Sequence, residues 1–185
     1  MNTVNDEELL SFLKQSHKDA EGILMDPKDL VFEENVKMNC FYCGKYNSNW
    51  RCPPHLPDLD YKKMMREYEH GLFVILRYDL TEDTDYSSVR SESSVTLHKI
   101  LLSLEKWMWR HHRSTAISFI GGSCKLCKGG CGKEHCNNAY MSRSPLEAIG
   151  VQVVKSVRKY GVELSFPADL KLTRIGLLVW QDEEG

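Results

Sequence analysis

The chain has no apolar run long enough to cross a bilayer as a helix; its longest, Leu72 to Leu76 and Ile175 to Trp180, are of strand length. It has no excess of charge of either sign, with 24 Lys and Arg against 26 Asp and Glu and a formal charge of -2. That balance removes the electrostatic case for nucleic acid or an anionic membrane as partner. The opening residues, Met1-Asn-Thr-Val-Asn-Asp-Glu-Glu, lack the basic region and apolar stretch of a secretory signal, so the cytoplasm is the expected location. No Gly-Lys-Ser/Thr follows Gly121-Gly122-Ser123, which excludes a phosphate loop there. Ser123 and Ser144 have no positional partner for nucleophilic catalysis, and the acidic residues read as solvated helix faces. Internal repeats and low-complexity segments are missing too.

What is present in unusual amount is sulfur. Seven cysteines occur in 185 residues, and without an export signal they read as metal ligands rather than disulfides, because reducing compartments do not favour structural S–S bonds. They divide by position into Cys40, Cys43 and Cys52, and Cys124, Cys127, Cys131 and Cys136. The second group lies in one short glycine- and lysine-rich loop, where core packing cannot account for it. Four converging thiolates select a tetrahedral zinc ion or an iron-sulfur cluster.

The spacing Cys-x2-Cys-x3-Cys-x4-Cys is close to the Cys-x2-Cys-x2-Cys core of bacterial ferredoxin runs. One loop can wrap a cubane because the cluster is several ångströms wide. Zinc usually takes two Cys-x2-Cys knuckles, and Cys131 and Cys136 do not form one, so the pattern favours the cluster over zinc. Gly121, Gly122, Gly129, Gly130 and Gly132 are expected to let the backbone turn with positive φ and aim N–H groups at the sulfurs. Lys125, Lys128 and Lys133 either offset an anionic cluster or form a solvated loop surface.

The first group has more than one reading. Three thiolates on a second cluster leave one iron open to act as a Lewis acid on a substrate. With His55 added, Cys-x2-Cys-x8-Cys-x2-His is a closed Cys3His zinc pattern. Alternatively, one cluster serves all seven cysteines and the remainder are supporting or redox thiols.

The rest of the chain is ordinary for a globular protein, at 42% hydrophobic and 27% charged residues. Its length suits a single α/β domain over 1–185, with segments 38–56 and 121–143 forming a metal-binding end. Asn5 and Glu8 predict a helix from Asp6 to His17. Leu30 to Val36 is a possible short strand, and a helix from Asp58 to His70 and a buried strand from Leu72 to Tyr78 follow. Leu97, Leu101, Leu104 and Met108 mark a long core helix from Ser88 to His112, and Ala116 to Ile120 a further strand. Strand, helix and strand in that order imply a right-handed crossover, hence a small, mainly parallel sheet flanked by helices, with Cys124 just beyond a strand's carboxyl end. Ser144-Pro145-Leu146-Glu147 reads as a helix start continuing to Tyr160 with a break at Gly150 and a stop at Gly161. A last strand, Leu172 to Trp180, and a polar tail from Gln181 to Gly185 complete the chain.

Cys40-x2-Cys43, Trp50-Arg51-Cys52-Pro53-Pro54, the four-cysteine loop and Ser144-Pro145-Leu146-Glu147-Ala148-x-Gly150 together resemble a cysteine-rich "predicted metal-binding protein" family of bacteria and archaea, a domain of unknown function. The resemblance covers nearly everything beyond the first helix. It implies iron-sulfur or other metal binding through the seven cysteines, mostly in anaerobes, and it implies no particular reaction. The family pattern does not rely on a histidine at His55. Its usual Cys-Arg-x-Pro after the last cysteine is here Cys136-Asn-Asn-Ala139.

Three functions compete. The first is a cytoplasmic electron carrier with one or two 4Fe-4S clusters and a redox partner protein. The second is a non-redox enzyme using an open iron at Cys40, Cys43 and Cys52 on a small-molecule substrate, for instance to remove sulfur from a thiolated compound. The third is a structural zinc module, which predicts a colourless protein containing zinc and no sulfide.

Overall fold

The structure, a computed structural model, describes residues 4–112, 115–164 and 171–182. Of the polar tail expected from Gln181 to Gly185, residues 183–185 lie outside the described residues, as do the first three of the N-terminal stretch.

Helix α1 spans Asp6–Ser16, one residue short of expectation, and starts because Asn5 Oδ1 accepts the N–H groups of Glu7 at 2.9 Å and Glu8 at 3.4 Å. Strand β1, Glu21–Met25, follows. The expected strand at 30–36 is instead a single bridge from Phe32 to Val151, and then helix α2, Glu34–Tyr42, of which only Val36 is buried. A helix without an apolar stripe leaves no 3.6-residue period to read. Helix α3 is one short piece, Tyr61–Met65, capped by Asp60, since β2 already begins at His70 and runs to Asp79. Helix α4 covers Tyr86–His112, 27 residues, with the Asp85 carboxylate receiving the Ser87 and Ser88 amides. Strand β3, Ile117–Phe119, helix α5, Val153–Arg158, and strand β4, Lys171–Trp180, complete the set. Among the described residues no helix is long and apolar enough to cross a membrane.

The sheet order is β1-β2-β4-β3 and every hydrogen-bonded pair is antiparallel, which overturns the mainly parallel sheet. The reason is specific. Strands β2 and β3 do point the same way, since each is antiparallel to β4, but β4 enters between them from the far end of the chain. A local strand-helix-strand pattern carries no sign of a later insertion.

The continuous apolar run in β2 has a related explanation. Leu72, Val74 and Leu76 enter one core with α1 and α4, through Leu9, Leu13, Leu97, Leu101 and Leu104. Phe73 and Ile75 enter a second core on the opposite face with Met65, Leu146, Ile149 and Val157. An antiparallel strand covered on both sides shows no alternation and looks like a parallel one. Each fully buried side chain here contributes about 1.5–3 kcal/mol relative to exposure. That rigid double core is what positions the loops at the carboxyl end of β3.

Candidate metal centre

The first cysteine segment grows out of α2. Cys40 is in its last turn and Cys43 is the C-cap, whose N–H reaches the Cys40 carbonyl at 3.2 Å. The chain then doubles back through Asn47 at φ 57°, and the Asn47 amide bonds the Pro53 carbonyl at 3.0 Å. Cys52, whose N–H is held by the Asn49 carbonyl, is buried, whereas Cys43 is exposed.

The second segment is a loop with clamped ends. The Ile120 amide donates to the Ser144 carbonyl at 3.0 Å and the Leu146 amide donates back to Ile120 at 2.9 Å, so the chain leaves and returns at one place. Ser144-Pro145 therefore belongs to a parallel bridge with Ile120, not to a helix start. The first helical turn is a 3-10 turn, Glu147–Ile149, ended by Gly150 at φ 92° where the break was expected, and α5 ends before Gly161 at φ 77°. Of the five loop glycines only Gly122 and Gly130 take positive φ. Gly121 is required for a different reason: a Cβ there would lie 2.5 Å from the Ile175 carbonyl oxygen of β4.

Three consecutive residues of the first segment tie the two loops together. Asn49 Nδ2 donates to the Cys124 carbonyl at 3.0 Å and the Trp50 indole N–H to the Gly132 carbonyl at 2.8 Å. Arg51 donates from Nε to Ser142 Oγ at 2.5 Å and from Nη2 to the Ala139 carbonyl at 2.8 Å. Ser142 Oγ in turn accepts from the Cys136 thiol at 3.5 Å. Sequence reasoning saw Trp50, Arg51 and Glu147 as parts of a pattern but missed these roles, and it gave Asn49 and Ser142 no part in the site. Glu147 is the carboxyl against the first group: its carbonyl accepts from Cys40 Sγ at 3.8 Å and its Oε2 from the Gly122 amide at 3.4 Å. Burial pushes its carboxyl above the usual range.

Cys124, Cys127, Cys131 and Cys136 all line one cavity of about 770 Å³. Cys40, Cys43 and Cys52 do not line it, yet Cys52 lies where the two groups meet. Burial first, then the neighbouring charges of Cys40, Cys43, Cys124 and Cys131, push its thiol up to about 12. Burial also raises Cys124, with Cys131, Cys136 and Cys127 adding to it, and raises Cys40, with Glu147 and Cys43 adding. Thiols that repel one another's ionisation are a poor arrangement for free cysteines and a good one for a shared cation, which inverts the sign of the effect. All seven are free thiols.

His55 lies against the Trp50 ring at a centroid distance of 4.3 Å. Among the described residues, the group of three or more ligand-type side chains whose donor atoms approach within 4.8 Å of one another is Glu69, His70 and Asp182, at the other end of β2 and β4, and contains no cysteine.

The loop is pinned from behind by a buried histidine. His98 of α4 donates from Nε2 to the Met141 carbonyl at 3.0 Å, and burial pushes its imidazole down to about 4. The unfolded imidazole, near 6.5, takes up a proton that the folded one refuses, so stability present above about pH 6.5 is lost as pH falls towards 4. In denaturant titrations of metal-stripped protein, the wild type is expected to lose more stability across that window than His98→Gln; equal losses would refute the assignment.

A small antiparallel sheet with helices on it and two cross-tied cysteine loops at one end defines a cysteine-rich metal-binding protein. The chain belongs to the family described as "Predicted metal-binding protein (DUF2284)", whose model matches residues 24–179 and so spans both loops and the scaffold between them. No curated protein and no solved structure matches it.

Proposed function

We propose that Cys124, Cys127, Cys131 and Cys136 hold a 4Fe-4S cluster, that Cys40, Cys43 and Cys52 hold a second metal centre beside it, and that the protein transfers electrons to a partner protein in the cytoplasm. The observation that carries this reading is that all four thiols of the second group line one cavity. A single zinc ion with Zn–S near 2.3 Å needs its sulfurs about 3.8 Å apart. Among the described residues no three sulfurs lie within 4.8 Å of one another, and a cubane several ångströms across asks for wider-set sulfurs than a single ion does. The contact of His55 with the Trp50 ring, tilted at 42°, also speaks against a Cys3His zinc site. When bound, a cluster supplies one-electron chemistry, and the chain's part is to hold it dry on one side and to set its potential through hydrogen bonds and exposure. Exposed Phe41, Tyr42 and Tyr46, packed edge to face beside exposed Cys43, support docking of a protein partner there.

A second reading has one observation in its favour. The first group offers three thiols, and three thiolates on a cluster leave one iron open to a substrate, with the Glu147 carboxyl as the neighbouring charge. A substrate-dependent change in the EPR or Mössbauer signal of one iron distinguishes that enzyme from a carrier.

The deciding experiment is anaerobic purification with iron, sulfide and zinc measured per chain. About eight irons fit two cubanes and about four fit one. Zinc without sulfide would reject the redox reading.

A further inference from the structure

The end of the sheet remote from the cysteines carries a second set of ligand-type side chains. Strand β2 starts at His70 and β4 ends at Trp180, and these two residues are register partners. The chain stays tied just outside that pair. The Glu69 amide donates to the Trp180 carbonyl at 3.2 Å, and the Asp182 amide donates to Glu69 Oε2 at 3.0 Å. Two strand ends thereby bring Glu69, His70 and Asp182 together, with one donor atom of each within 4.8 Å of the others. The His70 ring stacks on the Trp180 ring, with centroids 5.4 Å apart and 20° between the planes, and Trp180 is buried. A side chain locked in the core therefore fixes the plane of the imidazole. His70 Nε2 lies 3.1 Å from Asp182 Oδ2. Two ligands of one zinc-sized ion, each at about 2.0–2.2 Å, stand about 3–3.5 Å apart, so this pair is already spaced as neighbouring corners of a coordination sphere.

An ion pair between His70 and Asp182 is the simpler reading, and it leaves one atom unexplained. Asp182 Oδ1 is buried and, among the described residues, has no hydrogen-bond partner. A carboxylate oxygen cut off from water without a donor is costly, and a cation held jointly with His70 and Glu69 removes that cost. The charge count points the same way. Two carboxylates face one imidazole, and among the described residues neither is paired with a Lys or Arg. The place is also reachable by an ion from solvent: the side chains of His70 and Asp182 are 42% and 25% exposed, and Glu69 is exposed.

We infer that Glu69, His70 and Asp182 bind a divalent transition-metal ion of the zinc type, at a site separate from the cysteine centre. One imidazole with two carboxylates is a nitrogen and oxygen donor set that suits zinc and its neighbours, whereas magnesium and calcium take oxygen ligands. Zinc is therefore the preferred occupant over either. Three protein ligands leave at least one position of a tetrahedral ion to water or to a second ligand. No cysteine belongs to this site, so it stands whether or not the thiols hold iron.

The test is equilibrium dialysis of the anaerobically purified full-length chain against dilute Zn2+ in an excess of Mg2+. Zinc, iron and sulfide are counted, and the zinc K-edge X-ray absorption is measured on the same samples. One zinc per chain is expected with nitrogen and oxygen neighbours at about 2.0–2.2 Å, whereas zinc on the thiols would show sulfur at about 2.3 Å. His70→Gln, Asp182→Asn and Glu69→Gln each change one ligand at the strand ends. Each is expected to weaken the nitrogen- and oxygen-bound zinc at least about tenfold, since loss of a mere supporting partner of a metal ligand already costs about 10–100-fold. Iron and sulfide are expected to stay unchanged in all three, which also reports that the variants are folded. Wild type without such a zinc, or zinc weakened in none of the variants, would overturn the inference and leave His70 and Asp182 as an ion pair. The two metal readings fail separately: iron and sulfide without this zinc end this inference alone, and this zinc without iron or sulfide supports it while ending the cluster.

Discussion

Cys127→Ser is expected to remove one whole cluster, about four irons with their sulfide per chain, while Cys43→Ser leaves that cluster in place and empties the other centre. Cys127 lines the cavity with three other thiols, and a serine hydroxyl offers a harder oxygen that stays protonated at neutral pH, so it does not replace the thiolate. Iron and sulfide analysis with absorption and EPR spectra of each variant measures the effect. The two losses are expected to be independent because Cys40, Cys43 and Cys52 lie outside that cavity. Cys52 is the exception. It is buried and is acted on by thiols of both groups, so Cys52→Ser is expected to disturb both centres. An all-or-none loss in both Cys127→Ser and Cys43→Ser would mean one shared site, and the proposal of two centres would go with it.

The ligand candidates were legible because thiol chemistry is declared by residue type and spacing, whereas the scaffold was legible only where one face of an element stays wet. Helix α4 has a solvent face, so Leu97, Leu101, Leu104 and Met108 stand out at helical spacing. Strands β2 and β4 are covered on both sides, so Leu72 to Leu76 identify a strand but not its direction. Helix α2 buries a single residue and carries no pattern at all. Pro145 illustrates a different ambiguity. A residue without an N–H suits the first position of a helix and equally a bridge in which only its neighbours, Ser144 and Leu146, form the bonds. The ties that join the two loops, from Asn49, Trp50 and Arg51, are bonds between side chains and distant backbone, and such pairings leave no local trace.

The second large effect lies in what holds the four-cysteine loop to the sheet. Glu105 of α4 accepts the Ser118 amide at 2.8 Å, the Ser118 hydroxyl at 2.5 Å and Arg143 Nε at 2.8 Å, and Arg143 Nη2 reaches its second oxygen. One carboxylate thus joins α4, β3 and the returning end of the loop. Its side chain is 13% exposed and that of Arg143 22%, so solvent screens the pair little. Glu105→Ala would leave a guanidinium and two Ser118 donors without their acceptor in a mostly dry place, and removing one partner of a buried ion pair costs about 3–5 kcal/mol. Urea unfolding of the variant is expected to show a loss of that order. The double variant Glu105→Ala with Arg143→Met is expected to recover part of it, because no unpaired guanidinium remains. If the anchor also positions the thiols, Glu105→Ala will take up iron more weakly than wild type under conditions where both are folded. A variant as stable as wild type would show that the loop is placed by the Ile120 bridge and the Arg51 ties alone.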